Sequence, residues 1–172
     1  MKKTLFLLAA VFGFSPVLTA DNLVVNGEFE RLSAQGVALN WSFAASKPGS
    51  VKYFATGAPD GGYAQITMPE NGKFTFRQIM TGKLVANTKY EVSFKMRCTD
   101  FTAAQLGVLL INDGWKKGNG VRNLKPTAVW TKFKYVITMP ELTKYSALVF
   151  YSNNAKGTLE IADIEVEPFD ND

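Results

Sequence analysis

The sequence predicts an all-β fold, either a sandwich or a barrel, and three observations support this prediction. Apolar and polar residues alternate with a period of two in the best-patterned segments, which is typical of strands with one buried face. About ten short runs of aromatic and β-branched residues are separated by turn residues. No segment after residue 20 combines a helical period with the length of a normal helix.

The first 20 residues have the pattern of a secretory signal peptide. Lys2 and Lys3 precede an apolar run over residues 4–14, and Ala20 offers a small residue for cleavage. The run is shorter than the about 20 residues that span a bilayer, so we expect cleavage rather than a membrane anchor. The expected mature chain, residues 21–172, is a single domain of a bacterial protein that is secreted or periplasmic.

Strands are predicted wherever aromatic and β-branched residues fill a run between turn residues. In chain order these runs are 23–25, 41–45, 51–55, 63–67, 74–80, 88–98, 106–111, 131–138, 145–151 and 158–167. The run 106–111 is apolar throughout, which predicts a place in the middle of a sheet. The Gly- and Asn-rich segment 112–120 is predicted to be a loop.

The run 88–98 shows the clearest alternation. The side chains predicted to face the core are Tyr90, Val92, Phe94, Met96 and Cys98. Their neighbours Lys95 and Arg97 then point to the outer face of the sheet. Cys98 is the only cysteine, so no disulfide within the chain is expected, and a place inside the domain suits it.

Composition excludes several classes of function. The chain has no histidine, which rules out a Ser-His-Asp triad, a Cys-His pair and imidazole ligands for a catalytic zinc ion. Its 19 basic and 15 acidic residues are spread out, whereas nucleic-acid binding calls for a basic stripe. Paired carboxylates or a lysine remain for catalysis. Because no motif supports a carboxylate pair, a small glycosidase is only a minor alternative, and we do not expect an enzyme.

Several weak motifs occur in an order that resembles the carbohydrate-binding modules of families 4, 9 and 22, called the cenC type. In order, these motifs are 22–30, Trp41, 89–97, Trp130, 133–140 and 157–166. The resemblance covers nearly the whole mature chain. It implies a galactose-binding-domain-like jelly roll, a β-sandwich of two antiparallel sheets. It also implies glycan binding by aromatic and polar groups on a concave sheet face or at the loop rim.

The same resemblance implies a structural calcium ion where the two ends of the chain meet. Glu30 in the opening motif and Asp163 in the closing motif are the expected side-chain ligands, assisted by backbone carbonyls. Such a site suits calcium, which takes oxygen ligands and needs no histidine. One departure bears on this expectation, because relatives often have two adjacent acids where this chain has Ala162 beside Asp163.

Trp115 is the first candidate for ligand binding. It lies in the predicted loop 112–120, where a large apolar ring has little core to enter. A tryptophan plane matches the apolar C–H face of a sugar ring, and neighbouring amides and cations match its hydroxyls. The alternative is a ring that folds back over the sandwich edge. For Trp41 and Trp130, which begin strands, packing is favoured over ligand contact.

Tyr145, Tyr151 and Arg97 complete the predicted ligand-binding set. The two tyrosines stand at the ends of one predicted strand and share a face with Ala147 and Val149. Arg97 points away from the core side of its own strand. A surface with tyrosines and long cations suits a polar ligand. The alternative is an ordinary solvated strand face.

The expected function is that of an exported, non-catalytic module that recognises an oligo- or polysaccharide through loop and sheet-face aromatics. A glycoside hydrolase or a cell-surface component is the expected partner, and no membrane span remains after cleavage. The alternative is an extracellular protein-interaction or adhesion domain with the same fold, because a fold does not fix a function. An aromatic strip on the concave face would favour glycan, whereas a flat apolar patch or an exposed sheet edge would favour protein.

Overall fold

The computed structural model describes residues 21–112, 117–141 and 145–169. These residues form eight antiparallel strands. The strands are β1 (Trp41–Ala45), β2 (Ser50–Ala58), β3 (Gly61–Ile79), β4 (Lys89–Thr102), β5 (Gln105–Asn112), β6 (Lys117–Arg122), β7 (Thr131–Thr138) and β8 (Ser146–Pro168). Throughout these ranges, no helix is long and apolar enough to cross a membrane.

Two long strands, β3 and β8, each pass through both layers of the sandwich. Residues 63–68 of β3 pair with residues 157–162 of β8, and residues 74–79 pair with residues 147–152. The first layer therefore has the order β2, β3, β8, β4, β7. The second layer has the order β1, β3, β8, β5, β6. Hydrogen bonding is continuous from one layer to the other, and the predicted antiparallel β-sandwich is confirmed.

The bends that join the layers lie where the sequence predicted turns. In β3 the register shifts between Met68 and Gly72, and in β8 Asn154 and Gly157 have positive φ values of 53° and 102°. A Cβ at Gly157 would lie 2.1 Å from the backbone oxygen of Asp100, so this bend requires glycine. Separate strands at 63–67 and 74–80, and at 145–151 and 158–167, were therefore the wrong prediction. The chain changes direction at these points but keeps its sheet pairing.

The core lies between the two layers. Phe94 on β4 meets Phe150 on β8 edge to face, with ring centroids 5.0 Å apart. Trp41 is buried and stacks on Phe76 with a centroid distance of 4.6 Å, so its predicted packing role is confirmed. The inward face of β4 is also as predicted: Tyr90, Val92, Phe94 and Met96 are buried, and Cys98 is half-buried against the core.

Two local predictions differ from the structure. Residues 23–25 are not a strand, because the side-chain amide of Gln78 takes the place of a neighbouring strand. Its Oε1 accepts a hydrogen bond from Val25 N (2.8 Å), and its Nε2 donates one to Val25 O (2.7 Å). Residues 117–120, the end of the predicted loop, belong instead to β6, which continues to Arg122 and pairs with β5 in full register.

Candidate functional site

The outer face of the second layer presents a regular array of side chains. Strand pairing aligns them in rows across β3, β8, β5 and β6. One row contains Thr75, Tyr151, Gly107 and Arg122. The next contains Arg77, Val149, Leu109 and Gly120, and the third contains Ile79, Ala147, Ile111 and Gly118. Where β8, β5 and β6 cross this face, the second and third rows contain only apolar side chains and glycine. The row of Tyr151 is more polar.

Glycines allow side chains of the neighbouring strand to lie directly over this face. A Cβ at Gly107 would lie 2.6 Å from Cε1 and 2.9 Å from the hydroxyl of Tyr151, so the tyrosine ring lies across the glycine. On β6, a Cβ at Gly118 would lie 2.9 Å from Ile111 Cγ2, and one at Gly120 would lie 2.9 Å from Leu109 Cδ2. Any larger residue at these three positions would clash with a side chain of the neighbouring strand.

A groove of about 540 Å³ opens on this face. Its lining includes the apolar Leu109 and Ile111, the ring of Tyr151, the amides Gln105 and Asn153, and the cations Lys73 and Arg122. An apolar surface with a few converging polar groups is the usual composition of a small-molecule site. Hollows of similar size elsewhere lie at the edges of the sandwich rather than on a sheet face.

The polar end of the groove is held by hydrogen bonds. Asn153 Nδ2 donates to Gln105 Oε1 over 3.0 Å, and Ser152 Oγ donates to Gln105 O over 2.7 Å. The first contact joins the two side-chain amides, and the second holds the backbone that carries Gln105. Burial raises the pKa of the Tyr151 hydroxyl, and the positive charge of Arg122 opposes that rise. Tyr151 is therefore a neutral ring with a hydroxyl near a guanidinium at physiological pH.

Tyr145 and Tyr151 lie on the face that the sequence predicted. Both rings pack against the buried cluster formed by Leu109, Ile111, Ala147 and Val149. Tyr145 stands immediately before β8, and its buried hydroxyl finds no hydrogen-bond partner among the described residues. The two tyrosines therefore contact one apolar floor from opposite ends.

Arg97 does not join these tyrosines, because it lies on the outer face of the first layer. Its Nε is ion-paired with Glu160, whose other oxygen accepts a hydrogen bond from Gln65 over 2.8 Å. Its guanidinium lies 4.7 Å from the ring centroid of Trp130 and 5.8 Å from that of Tyr63. Arg97 thus belongs to a second surface, on the opposite side of the domain from Tyr151.

This second surface, the outer aromatic cluster, consists of Phe54, Tyr63 and Trp130. Phe54 stacks on Tyr63 with centroids 4.6 Å apart, and Tyr63 meets Trp130 edge to face at 5.9 Å. Sequence analysis did not single out Phe54 or Tyr63. Their proximity could have been predicted, because Phe54 and Tyr63 lie at the facing ends of two predicted strands, 51–55 and 63–67, that a short turn connects. The three rings pack on one another, and the Arg97 guanidinium lies against two of them.

Trp115 lies outside the described residues, so its predicted role stays a prediction. The strand β5 ends at Asn112 and β6 begins at Lys117, on either side of it in the sequence. Both strands belong to the groove face.

The structure gives the two expected calcium ligands, Asp163 and Glu30, different surroundings. Asp163 has a positive φ of 49°, in a β-bulge of β8, and its carboxylate is ion-paired with Lys95 Nζ at 2.8 Å. The same ammonium group contacts Asp60. Glu30 is exposed beside Gly61. No group of three or more acidic, cysteine or histidine side chains in the described ranges could hold a metal ion.

Residues 21–157 match the protein family CBM_4_9, described as a carbohydrate binding domain. The match extends over most of the chain and contains β1 to β7 with the first half of β8. Among curated proteins, no sequence matches this chain.

Solved structures share the fold. The module TmCBM61, in complex with β-1,4-galactotriose, is 16% identical with a TM-score of 0.62, covering 87% of this chain and 100% of that one. The xylan-binding domain CBM22-1 of Paenibacillus barcinonensis Xyn10C is 18% identical with a TM-score of 0.59, covering 89% and 97%. The enzymatically active domain of bacteriophage CBA120 tailspike protein 4 is 15% identical with a TM-score of 0.65, covering 86% of this chain. This chain spans 21% of the tailspike domain's length.

Proposed function

The chain belongs to the carbohydrate binding domain family CBM_4_9, and from this membership we propose that it binds a glycan in the groove on the outer face of its second layer. The observation that carries the proposal is the composition of that groove. It places the Tyr151 ring and an apolar floor beside two amides that are hydrogen-bonded to each other, Gln105 and Asn153. A sugar needs both kinds of surface, because its ring faces are apolar and its edges carry hydroxyls.

Each groove residue has a distinct role in this proposal. The Tyr151 ring stacks on the face of a sugar, while Gln105 and Asn153 bind hydroxyls. Tyr145 extends the apolar floor at its far end. Trp115, which lies between β5 and β6 in the sequence, keeps in this proposal the role predicted from the sequence, stacking on a sugar ring. The modules with the same fold support this ligand class, since one is in complex with a galactotriose and another is a xylan-binding domain.

The proposed role is binding without catalysis. Hydrolysis of a glycosidic bond needs two carboxyl groups on either side of it. No acidic residue is among the described residues that line the groove. The leader-like residues 1–20 support export to the periplasm or the cell exterior, where such a module would work beside a glycoside hydrolase or on a cell surface.

An adhesion role would use the outer aromatic cluster instead. Val136, on the neighbouring β7, is 48% exposed. However, the ion pairs Arg97–Glu160 and Lys134–Glu91 divide this surface, so it is not a flat apolar patch. The groove is therefore the favoured site.

We expect moderate affinity. Sugar hydroxyls are already hydrogen-bonded to water, so each bond to the protein contributes only about 0.5–1.5 kcal/mol net. A few such bonds with one or two stacked rings give a dissociation constant between micromolar and millimolar, about −8 to −4 kcal/mol.

Substitution of Tyr151 tests the site. Once a glycan array has identified a ligand, we expect Tyr151→Ala to weaken its binding at least about tenfold, or 1.4 kcal/mol, in isothermal titration calorimetry. Tyr151→Phe keeps the ring and should retain most of the affinity. Tyr63→Ala, in the outer aromatic cluster, is the matched control and should bind like the wild type. If Tyr63→Ala loses binding and Tyr151→Ala keeps it, the glycan site lies on the first layer, and the proposal fails.

A further inference from the structure

The two layers of the sandwich differ in charge. In the second layer, residues 72–79 of β3 and residues 146–155 of β8, together with β1, β5 and β6, contain no aspartate or glutamate. Their charged residues are Lys73, Arg77, Lys117 and Arg122. In the first layer, β4 and the second half of β8 carry Glu91, Asp100, Glu160, Asp163, Glu165 and Glu167. The groove thus lies on the layer whose strands have only positive charges.

The cations of the two layers also differ in their partners. On the first layer, Lys95, Arg97 and Lys134 each form an ion pair with a carboxylate. On the second layer, neither Lys73 nor Arg122 pairs with an acidic residue of the described chain, although both line the groove. Unpaired cations in a partly enclosed site create a positive potential that attracts anions. A neutral glycan would gain nothing from that potential.

The two groove cations are on opposite sides of the Tyr151 ring. Lys73 belongs to β3 and Arg122 to β6, with β8 and β5 between them. Three steps between neighbouring strands correspond to about 14 Å. An extended ligand with several negative charges can span that backbone separation and reach both cations, with its uncharged ring faces against Tyr151 and the apolar floor.

From these observations we infer that the ligand is an acidic glycan, a saccharide chain that bears carboxylate or sulfate groups on more than one sugar unit. This inference rests on the proposed function and narrows its ligand class. Arg122 suits such a group because a guanidinium donates two parallel hydrogen bonds to a carboxylate or sulfate. Lys73 supplies a compact charge on a flexible stem at the other side of the groove.

The test compares polysaccharides that differ in charge but share a backbone. The pairs are polygalacturonate with its neutral methyl ester, polymannuronate with mannan, and sulfated galactan with galactan, all titrated against the full chain. We expect at least one acidic member to bind about tenfold or more tightly than its neutral partner at low salt. That advantage should shrink as salt rises. The uronate and sulfate arms show which anionic group is preferred.

Variants that remove one positive charge distinguish binding in the groove from non-specific attraction of an anion to a basic protein. Arg122→Gln and Lys73→Gln should each reduce binding of the acidic glycan about three- to tenfold, with little effect on its neutral partner. Lys52→Gln and Lys132→Gln, on exposed positions of the first layer, change the net charge equally and should leave binding unchanged. Melting temperatures confirm that all four variants fold.

The outcomes distinguish the inference from the proposed function. If neutral polysaccharides bind as tightly as acidic ones and the groove variants have no effect, the acidic-glycan inference is overturned and glycan binding stands. If all four lysine and arginine variants weaken binding equally, the attraction is non-specific and the inference is again overturned. If no polysaccharide of either kind binds, both the inference and the proposed function are wrong.

Discussion

At the scale of single residues, a cation that is already ion-paired within the protein is less available to a ligand than an unpaired one. Lys95 and Lys73 both project from outer sheet faces, yet only Lys95 is surrounded by carboxylates. Hydrogen bonds to Asp163 and then Asp60 are the main causes that raise the pKa of Lys95. Its ammonium joins β4, the turn between β2 and β3, and the bulge of β8. The expected calcium ion would instead join the segment of Glu30 to β8, so the lysine is a different counter-charge for Asp163.

Substitution of Lys95 tests this assignment. Lys95→Met keeps the apolar stem but leaves the nearly buried Asp163 without a counter-charge. We expect a loss of about 2 kcal/mol of stability, below the 3–5 kcal/mol typical of fully buried pairs because both groups keep some contact with water. Adding Asp163→Asn should restore part of the loss. Wild-type melting should be the same in millimolar calcium and in chelator, and a higher midpoint with calcium would show that an ion does bind.

At the scale of elements, the period-two pattern determined which face each side chain occupies. It placed Tyr145 and Tyr151 with Ala147 and Val149 correctly, and it placed Lys95 and Arg97 opposite the core residues of β4. It could not determine the layer, because strand pairing is a long-range property. Glycine and asparagine at 70–72 and 156–157 have the composition of turns that end strands, so nothing local showed that β3 and β8 continue into the other layer.

The missing layer assignment explains why the predicted ligand-binding set spans two surfaces. Arg97 and Tyr151 both lie on outward faces, but β4 pairs with the second half of β8 and Tyr151 belongs to the first half. The prediction combined residues from two opposite surfaces. Arg122, which shares the cross-strand row of Tyr151, was missed because most of its strand, residues 117–120, was predicted to be loop.

Gly107 tests how β5 shapes the groove. A Cβ there would lie 2.6 Å from both Tyr151 Cε1 and the backbone oxygen of Val121, and the backbone cannot yield easily. We expect Gly107→Ala to lower stability by about 1–3 kcal/mol and to weaken glycan binding by displacing the Tyr151 ring. Gly36→Ala is the control, because nothing lies within 4 Å and only its φ of 71° is strained. It should cost about 1–2 kcal/mol without affecting affinity. Undiminished binding by Gly107→Ala would show that the ring position is not critical.

At the scale of the whole molecule, β3 and β8 make the two layers mechanically continuous. If β3 and β8 unfold in one layer, the other layer loses the continuation of the same two strands. The core residues Phe94 and Phe150, which come from different layers, also pack directly on each other. The two differently charged surfaces therefore belong to one folding unit. On one surface the cations are paired with carboxylates, and in the groove on the other surface Lys73 and Arg122 are not paired with any acid of the described chain.

This continuity predicts a single cooperative unfolding transition, and Cys98 provides a probe of it. The thiol is half-buried in the first layer, and burial raises its pKa, so both access and the thiolate fraction limit its reaction in the folded state. Labelling should be slow in native buffer. In increasing urea, pulse labelling of Cys98 reports on the first layer and far-ultraviolet circular dichroism reports on the β-structure of the whole domain. The two measurements should give the same midpoint, as two-state unfolding requires. Labelling that begins at clearly lower urea than the loss of β-structure would mean that the first layer opens separately, and that the shared strands do not couple the two sheets.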